Sequence, residues 1–295
     1  MNYPNERAFR MALEQRLLNR SRENGTSLVR LRKAVVFDRL LARLVVAAPD
    51  RWVLKGALAL DYRLGPGTRT TRDIDLGRMD DENAATADFV RAQATDLGDC
   101  FAFAIERTDR LDQLEEGAAV RYRVECQLAG RPFEVVTVDV AFGDSGAEAP
   151  DRLRGPDLLV FAGIDQVEVP AIPLAQHVAE KVHAYSRVYG ADGRPSTRVK
   201  DLVDLVLIAH SASIDASALK IALKRTFAGR GVGDLPAQLP QPPAGWRVPY
   251  RRMALEVGLA GDIEAGHATA AEFLDPLLND QVRAGTWEPA SRSWR

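Results

Sequence analysis

The chain has 295 residues, 46% of them hydrophobic, which is enough for one large domain or two ordinary ones with real cores. Lys and Arg number 39 against 41 Asp and Glu, and this near-neutral balance does not indicate a nucleic-acid binder, although a local basic surface is compatible with it. Two cysteines without metal-ligand spacing, a charged N-terminal stretch and the lack of a run of about 18 apolar residues argue against a disulfide framework, a signal peptide and a membrane span. We therefore expect a cytoplasmic protein.

Helical periodicity opens the chain, and the pattern changes at Trp52. "WVLKG" predicts a buried strand that enters a turn, "ALALDYRLG" a short helix stopped by Gly65, and "RDIDLGR" a strand. The other helices predicted in this part cover residues 5–20, 27–47 and 83–97.

Three segments then alternate like antiparallel strands: "FAFAIERT", "AVRYRVECQLAG" and "RPFEVVTVDVAFG", with a hairpin turn at Gly130-Arg131. After Pro170 strands mostly disappear, and the predicted helices cover 174–189, 199–210, 215–228, about 250–258 and 262–278. This order predicts an α+β fold with a small mixed sheet and helices on one face. We predict two domains, 1–168 and 169–295.

Two carboxylates stand two residues apart in the segment "TTRDIDL". Side chains alternate along a strand, so Asp73 and Asp75 point the same way, about 7 Å apart along it. Such a pair repels unless a cation lies between them, and Mg²⁺ commonly takes one or two carboxylates plus phosphate oxygens. Taken alone, the motif is more often a solvated strand end. Asp139, in the β-branched strand "VVTVDVAFG", is costly to bury unless paired or metal-bound, and it would complete a set for two metals.

Residues near this strand suit phosphate groups. Gly56, between a strand and a helix, allows close approach of a phosphate to the helix N-terminus, although, taken alone, it is more often an ordinary turn glycine. Arg69 and Arg72 could each form paired hydrogen bonds to triphosphate oxygens, or be solvated loop charges. Thr71, two residues before Asp73, is expected on the same face, lining the nucleotide site.

Four segments in order resemble one known family: "WVLKGALAL", "RTTRDIDL", "AEKVHAYSRVYG" and "RVKDLVDLVLIA". They resemble the polymerase-β-like nucleotidyltransferases, and among these the AbiEii/MenT toxins of type IV toxin–antitoxin and abortive-infection systems. The resemblance spans about residues 52–210. It departs where the family often has two glycines and this chain has Gly56-Ala57.

The resemblance implies a nucleotidyltransferase domain preceded by N-terminal helices and followed by a helical domain that contributes active-site residues. It implies Mg²⁺ or Mn²⁺ held by Asp73, Asp75 and Asp139. Lys181 would neutralise phosphate charge, where a lysine that only reaches solvent is the competing interpretation. Asp201 would orient Lys181 or act as a base, whereas pairing with the helix dipole can explain Asp204 fully.

The activity implied is transfer of a nucleotide from an NTP to an RNA acceptor, by resemblance the tRNA 3′ end, which would block aminoacylation. The partner implied is a separately encoded AbiEi-type antitoxin that need not bind the toxin. Transfer to a small molecule such as an aminoglycoside, and an inactive nucleotide-binding module, are the alternatives. Two basic segments suit RNA or a domain contact: Lys220, Lys224, Arg225 and Arg230; and Arg247, Arg251 and Arg252 with Trp246 and Tyr250.

Overall fold

A computed structural model describes residues 3–65, 68–69, 71, 73–110, 119–143, 148–189, 194–230 and 234–295. The chain forms two compact units. The first comprises Met1–Gly65 and Thr70–Ile172, and the second comprises Pro66–Arg69 and Pro173–Arg295.

The first unit contains helices and the strands of one mixed sheet. Its helices are α1 (Glu6–Asn24), α2 (Leu28–Ala47), α3 (Gly56–Leu64) and α4 (Glu82–Ala94), with a short 3₁₀ helix at Val160–Ala162. Its strands are β1 (Val53–Lys55), β2 (Asp73–Arg78), β3 (Phe101–Arg110), β4 (Ala119–Leu128), β5 (Arg131–Phe142), β6 (Asp151–Arg154) and β7 (Glu168–Ala171). Side-chain caps begin the helices: Asn5 accepts from Ala8 N–H at 2.9 Å, and Ser27 accepts from Arg30 N–H at 3.2 Å.

Within the described residues the sheet order is β3-β4-β5-β2-β1-β7-β6. Strands β3, β4 and β5 form an antiparallel meander, β5 and β2 run parallel, and β1 is antiparallel to β2 and parallel to β7. The centre of the sheet therefore holds the long strand β5 beside the short strand β2.

Helices cover one face of this sheet. On that face Tyr122 of β4 contacts Phe89 of α4 with ring centroids 4.4 Å apart, and Phe9 of α1 meets Phe101 of β3 at 6.1 Å. Ile74 and Val138 are completely buried there. Because side chains alternate along a strand, the residues adjacent to these project from the opposite face. That opposite face carries the polar residues of β2, β4 and β5.

The second unit is mainly helical. Its helices are α5 (Leu174–Ser186), α6 (Val199–Ser211), α7 (Ala216–Arg230), α8 (Arg247–Glu256) and α9 (Ile263–Leu278), with a 3₁₀ turn at Ala244–Trp246. Short strands are β8 (Val188–Tyr189), β9 (Arg194–Pro195), β10 (Ile214–Asp215), β11 (Thr286–Glu288) and β12 (Ser293–Trp294). Helix α6 is buried from Asp201 to Ala209, and the buried Trp287 donates its indole N–H to the carbonyl of Ala209 at 2.8 Å.

The α+β class and the mixed sheet are confirmed, and each predicted helix exists within a few residues of its expected bounds. The helix predicted over 174–189 ends at Ser186, and the one predicted from about 250 begins at Arg247. The short strands β6 and β7 and those of the second unit were not predicted. No helix in the described part of the chain is both long and apolar enough to cross a membrane.

Candidate active site

Carboxylates of two adjacent parallel strands meet on the face of the sheet opposite that of Ile74 and Val138. Asp75 of β2 lies directly opposite Asp139 of β5. Two residues earlier on both strands, Asp73 lies opposite Thr137. Their neighbours Ile74 and Val138 are buried on the other face. The sequence predicted that β5 brings Asp139 beside Asp73 and Asp75. Strands β2 and β5 are neighbours in the sheet, and their register places Asp139 opposite Asp75.

Cations flank this acidic pair in the same row across the sheet. Lys55 of β1 is opposite Asp75, and Arg121 of β4 is opposite Asp139. Arg121 donates through Nε and Nη2 to the two carboxylate oxygens of Asp139, at 2.7 and 2.8 Å. This paired geometry is the strong form of an arginine–carboxylate contact. The row therefore reads Lys55, Asp75, Asp139, Arg121, with both carboxylates in the middle.

Gly56 is required where β1 passes into α3, because it is both left-handed and crowded. Its φ is +60°, and a Cβ added to it would lie 1.7 Å from Oδ2 of Asp75 and 2.9 Å from the Cβ of Asp75. The Asp75 carboxylate therefore lies against the first residue of α3, where a helix N-terminus favours negative charge. The Asp75 side chain can take this position only because residue 56 has no Cβ.

The predicted nucleotide-binding residues of the loop before β2 lie in different surroundings. Thr71 is 4% exposed, and its Oγ1 has no hydrogen-bond partner among the described residues, which marks it as an orphaned buried hydroxyl. Strand β2 begins at Asp73, so strand alternation does not fix the direction of Thr71. Arg72 lies outside the described residues. Arg69 belongs to the second unit, where it contacts Asp204.

The donor set on the sheet fits Mg²⁺ in its chemistry. Asp73 and Asp75 supply carboxylate oxygens on one face, and Mg²⁺ usually combines one or two such ligands with water and substrate phosphates. Among the described residues, no group of three or more His, Cys, Asp or Glu side chains is arranged to hold a metal ion. Here both oxygens of Asp139 contact Arg121. Asp73 and Asp75 thus have the donor chemistry of two of the three predicted ligands, and the carboxylate of Asp139 is paired with Arg121.

The second unit contains a buried cluster of ion pairs, which we call the α5–α6 cluster. Its members are Lys181, Asp201, Asp204, Arg69 and Arg198. Lys181 Nζ lies 2.6 Å from Asp204 Oδ2 and 3.5 Å from Asp201 Oδ1. Arg69 Nε donates to Asp204 at 3.0 Å, and Arg198 Nε donates to Asp201 at 2.7 Å. Among these contacts, Asp204 pairs with Lys181 and Arg69, and Asp201 pairs with Lys181 and Arg198.

Asp204 is a central member of this cluster that sequence reasoning assigned to the helix dipole alone. Burial raises the pKa of Asp204, but the charges of Lys181 and Arg69 and their hydrogen bonds outweigh burial and hold that pKa below its ordinary value. Asp204 is thus the closer carboxylate to Lys181, and Asp201 is shared with Arg198. The spacing of Asp201 and Asp204 on one helix face was the available signal.

The two basic segments offer less to RNA than the sequence indicated. Trp246 is 7% exposed and Tyr250 is fully buried, so the interpretation of these rings as stacking surfaces for bases is wrong. They pack instead in the core, where Trp246 meets Tyr185 edge-on at 5.5 Å. Paired residues are Lys220 with Asp280, Arg225 with Gln176, and Arg247 with Glu264. Exposed basic residues are Lys224, Arg247, Arg251 and Arg252, and the side chain of Arg230 lies outside the described part.

The central parallel strands of this mixed sheet thus carry Asp75 and Asp139, next to a glycine at a helix start. Residues 39–285 match the model of the family described as nucleotidyl transferase AbiEii toxin of type IV toxin–antitoxin systems. The chain therefore belongs to the AbiEii nucleotidyltransferase toxin family, and the resemblance inferred from the sequence is confirmed.

Solved structures align with most of the chain, and at these identities the first of them shows a shared fold only. MenT4, a nucleotidyltransferase toxin of Mycobacterium tuberculosis H37Rv, aligns with a TM-score of 0.52 at 20% identity, over 92% of this chain and 97% of that chain. A nucleotidyltransferase from Helicobacter pylori aligns at 16% identity and a TM-score of 0.43, over 84% of this chain and 96% of that chain. No curated protein sequence matches the chain significantly.

Proposed function

We propose that the protein transfers a nucleotide from an NTP to a hydroxyl of an RNA acceptor, the 3′ end of tRNA, in a Mg²⁺-dependent reaction. The observation that carries this proposal is the register of Asp75 against Asp139, with Asp73 on the same face, in a member of a nucleotidyltransferase toxin family. The acceptor hydroxyl would attack the α-phosphorus, the bond to the β-phosphate oxygen would break, and pyrophosphate would leave. Nucleotide added to the tRNA 3′ end would block aminoacylation and arrest translation.

The proposed roles follow from the chemistry of each group. Bound Mg²⁺ would supply charge neutralisation at the triphosphate and lower the pKa of the attacking hydroxyl. Asp73 and Asp75 would hold it, together with Asp139 when that carboxylate is available. Gly56 would keep the backbone close to Asp75, and the orphaned hydroxyl of Thr71 is suited to a hydrogen bond with the nucleotide.

Lys181 and Arg69 of the second unit are proposed to contribute positive charge toward phosphate. Arg72 is proposed for the same role on the basis of the sequence. Asp201 is 1% exposed on its side chain and is held by Arg198 and Lys181. A carboxylate so engaged is better suited to orient Lys181 than to accept a proton from substrate. Asp204 is proposed to share this orienting role because it makes the shorter contact to Lys181.

The proposed partners are an NTP, a tRNA acceptor and a separately encoded AbiEi-type antitoxin, and the proposed location is the cytoplasm. Four exposed basic residues, Lys224, Arg247, Arg251 and Arg252, support an acidic partner such as RNA. An antitoxin is expected because the family belongs to type IV toxin–antitoxin systems.

The test is a transfer assay with purified protein, Mg²⁺, each α-³²P-labelled NTP in turn, and either total tRNA or an aminoglycoside. We expect label on the tRNA 3′ end, located by sequencing the ends. Asp75→Asn should abolish the label, whereas Asp157→Asn, at a side chain 66% exposed, should retain it. Label on the aminoglycoside would favour small-molecule transfer. Nucleotide binding without transfer, with the fold intact, would favour an inactive module.

A further inference from the structure

Arg121 is a member of the charged row that the proposed chemistry does not use. It is directly opposite Asp139 in the β4–β5 ladder, and its guanidinium contacts both carboxylate oxygens at 2.7 and 2.8 Å. A carboxylate accepts hydrogen bonds and binds metal through the same oxygen lone pairs. The two-pronged contact takes one lone pair on each oxygen of Asp139, and the positive charge of the guanidinium opposes a divalent cation at the same carboxylate. Arg121 and a divalent cation therefore compete for Asp139.

The pair is accessible enough to exchange. The side chain of Arg121 is 39% exposed and that of Asp139 is 18% exposed. Partly exposed ion pairs are weak compared with buried ones, because water screens them and can replace the lost contact. A divalent cation carries twice the charge of the guanidinium, so it can displace Arg121 from Asp139.

We propose that Arg121 is a positioning residue that holds Asp139 while metal is absent and gives it up when a divalent cation binds. Arg121 thereby raises the cation concentration at which the site fills. It also offsets the repulsion between Asp139 and Asp75, which face each other on adjacent strands. This inference rests on the proposed function, since it takes Asp139 as a metal ligand.

The test is a titration of the purified full chain with Mn²⁺, without nucleotide, in which free Mn²⁺ is followed by electron paramagnetic resonance. Arg121→Gln should bind Mn²⁺ roughly two- to fivefold more tightly, because a competing ion pair of this exposure is removed. Arg123→Gln is the matched control. It removes the same charge two residues along the same strand, at a side chain 46% exposed that pairs with Glu125.

Two further variants separate competition from a general change of field. In a chain that also carries Asp139→Asn, Arg121→Gln should raise the affinity for Mn²⁺ no more than Arg123→Gln does. The reason is that the carboxylate for which Arg121 and the cation compete is then absent. Arg121→Lys keeps the charge but loses the two-pronged contact, and it should give a smaller gain than Arg121→Gln. It also keeps the test available if Arg121→Gln does not fold, which circular dichroism would reveal.

Equal changes in Arg121→Gln and Arg123→Gln would overturn the inference, as would weaker Mn²⁺ binding in Arg121→Gln or a wild-type chain that binds no Mn²⁺. Nucleotide transfer is not part of this readout. A chain that gives the expected titration but transfers no nucleotide would contradict the proposed function alone, and a chain that transfers nucleotide with equal affinities would contradict only this inference.

Discussion

Replacing Gly56 by alanine tests whether the start of α3 is built around Asp75. The added Cβ would lie 1.7 Å from Oδ2 of Asp75, 2.6 Å from its Cγ and 2.9 Å from its Cβ. Rotating the carboxylate away would relieve the first two contacts but leave the third. The backbone of β2 or α3 must therefore move, and the Asp75 carboxylate must leave its present place.

The magnitude has two parts. An L-residue in the left-handed region costs roughly 1–2 kcal/mol, and this part depends only on φ. Forcing an atom into a packed place costs about 1–3 kcal/mol more. Gly56→Ala should therefore lower the free energy of unfolding by about 2–5 kcal/mol, and a displacement of Asp75 by about 1 Å should lower transfer roughly a hundredfold.

Gly98 is the matched control, because its φ is +64° and a Cβ added to it meets no atom within 4 Å. Gly98→Ala should show only the part that depends on φ and should keep its activity. The measurements are urea unfolding followed by circular dichroism, and the transfer assay. Equal destabilisation of both variants, with activity preserved in Gly56→Ala, would refute the idea that Gly56 is kept for Asp75.

Further predictions concern the buried ion pairs of Asp204 and the removal of metal. Asp204→Asn leaves Lys181 and Arg69 without their shared carboxylate and should cost about 3–5 kcal/mol in urea unfolding, whereas the exposed Asp157→Asn should change it little. Because the pKa of Asp204 is lowered in the folded state, its contribution is present above the ordinary carboxyl pKa of about 3.9 and is lost as pH falls through the lower folded value. The stability gap between wild type and Asp204→Asn should therefore shrink as pH falls below the ordinary carboxyl pKa of about 3.9, and a constant gap would contradict this assignment. Removing divalent metal with EDTA should abolish transfer, and added Mg²⁺ or Mn²⁺ should restore it without any change in circular dichroism.

Local patterns carried most of the fold, because helices and hairpins depend on nearby residues. The apolar spacing and caps of α1 and α2 are local, and so is the turn between β4 and β5. Strands β6 and β7 have only four residues each and exist because of distant partners, with β7 parallel to β1. Such strands leave little periodicity in the sequence, so they were not predicted.

The contact between Arg121 and Asp139 depends on the register of β4 against β5. Counting from the hairpin turn pairs Leu128 with Arg131, and continuing that count would place Val120 opposite Asp139. An irregularity between Cys126 and Gln127 shifts the register by one residue, and Arg121 takes that place instead. A one-residue shift exchanges the faces of a strand, so the contact between Arg121 and Asp139 could not be derived from the sequence.

Burial distinguishes the two sets of ion pairs and indicates which one can respond to a ligand. Within the α5–α6 cluster Asp204 is 1% exposed and Lys181 is 7% exposed, so separating them would leave uncompensated charge away from water. On the sheet, Arg121 and Asp139 retain contact with solvent, so water or a cation can replace either partner at modest cost. The first set is therefore suited to fix the position of Lys181 permanently, and the second to exchange. Rising salt should weaken the Arg121–Asp139 pair while leaving the contribution of Asp204 to stability nearly unchanged, because screening acts mainly on charges that solvent can reach.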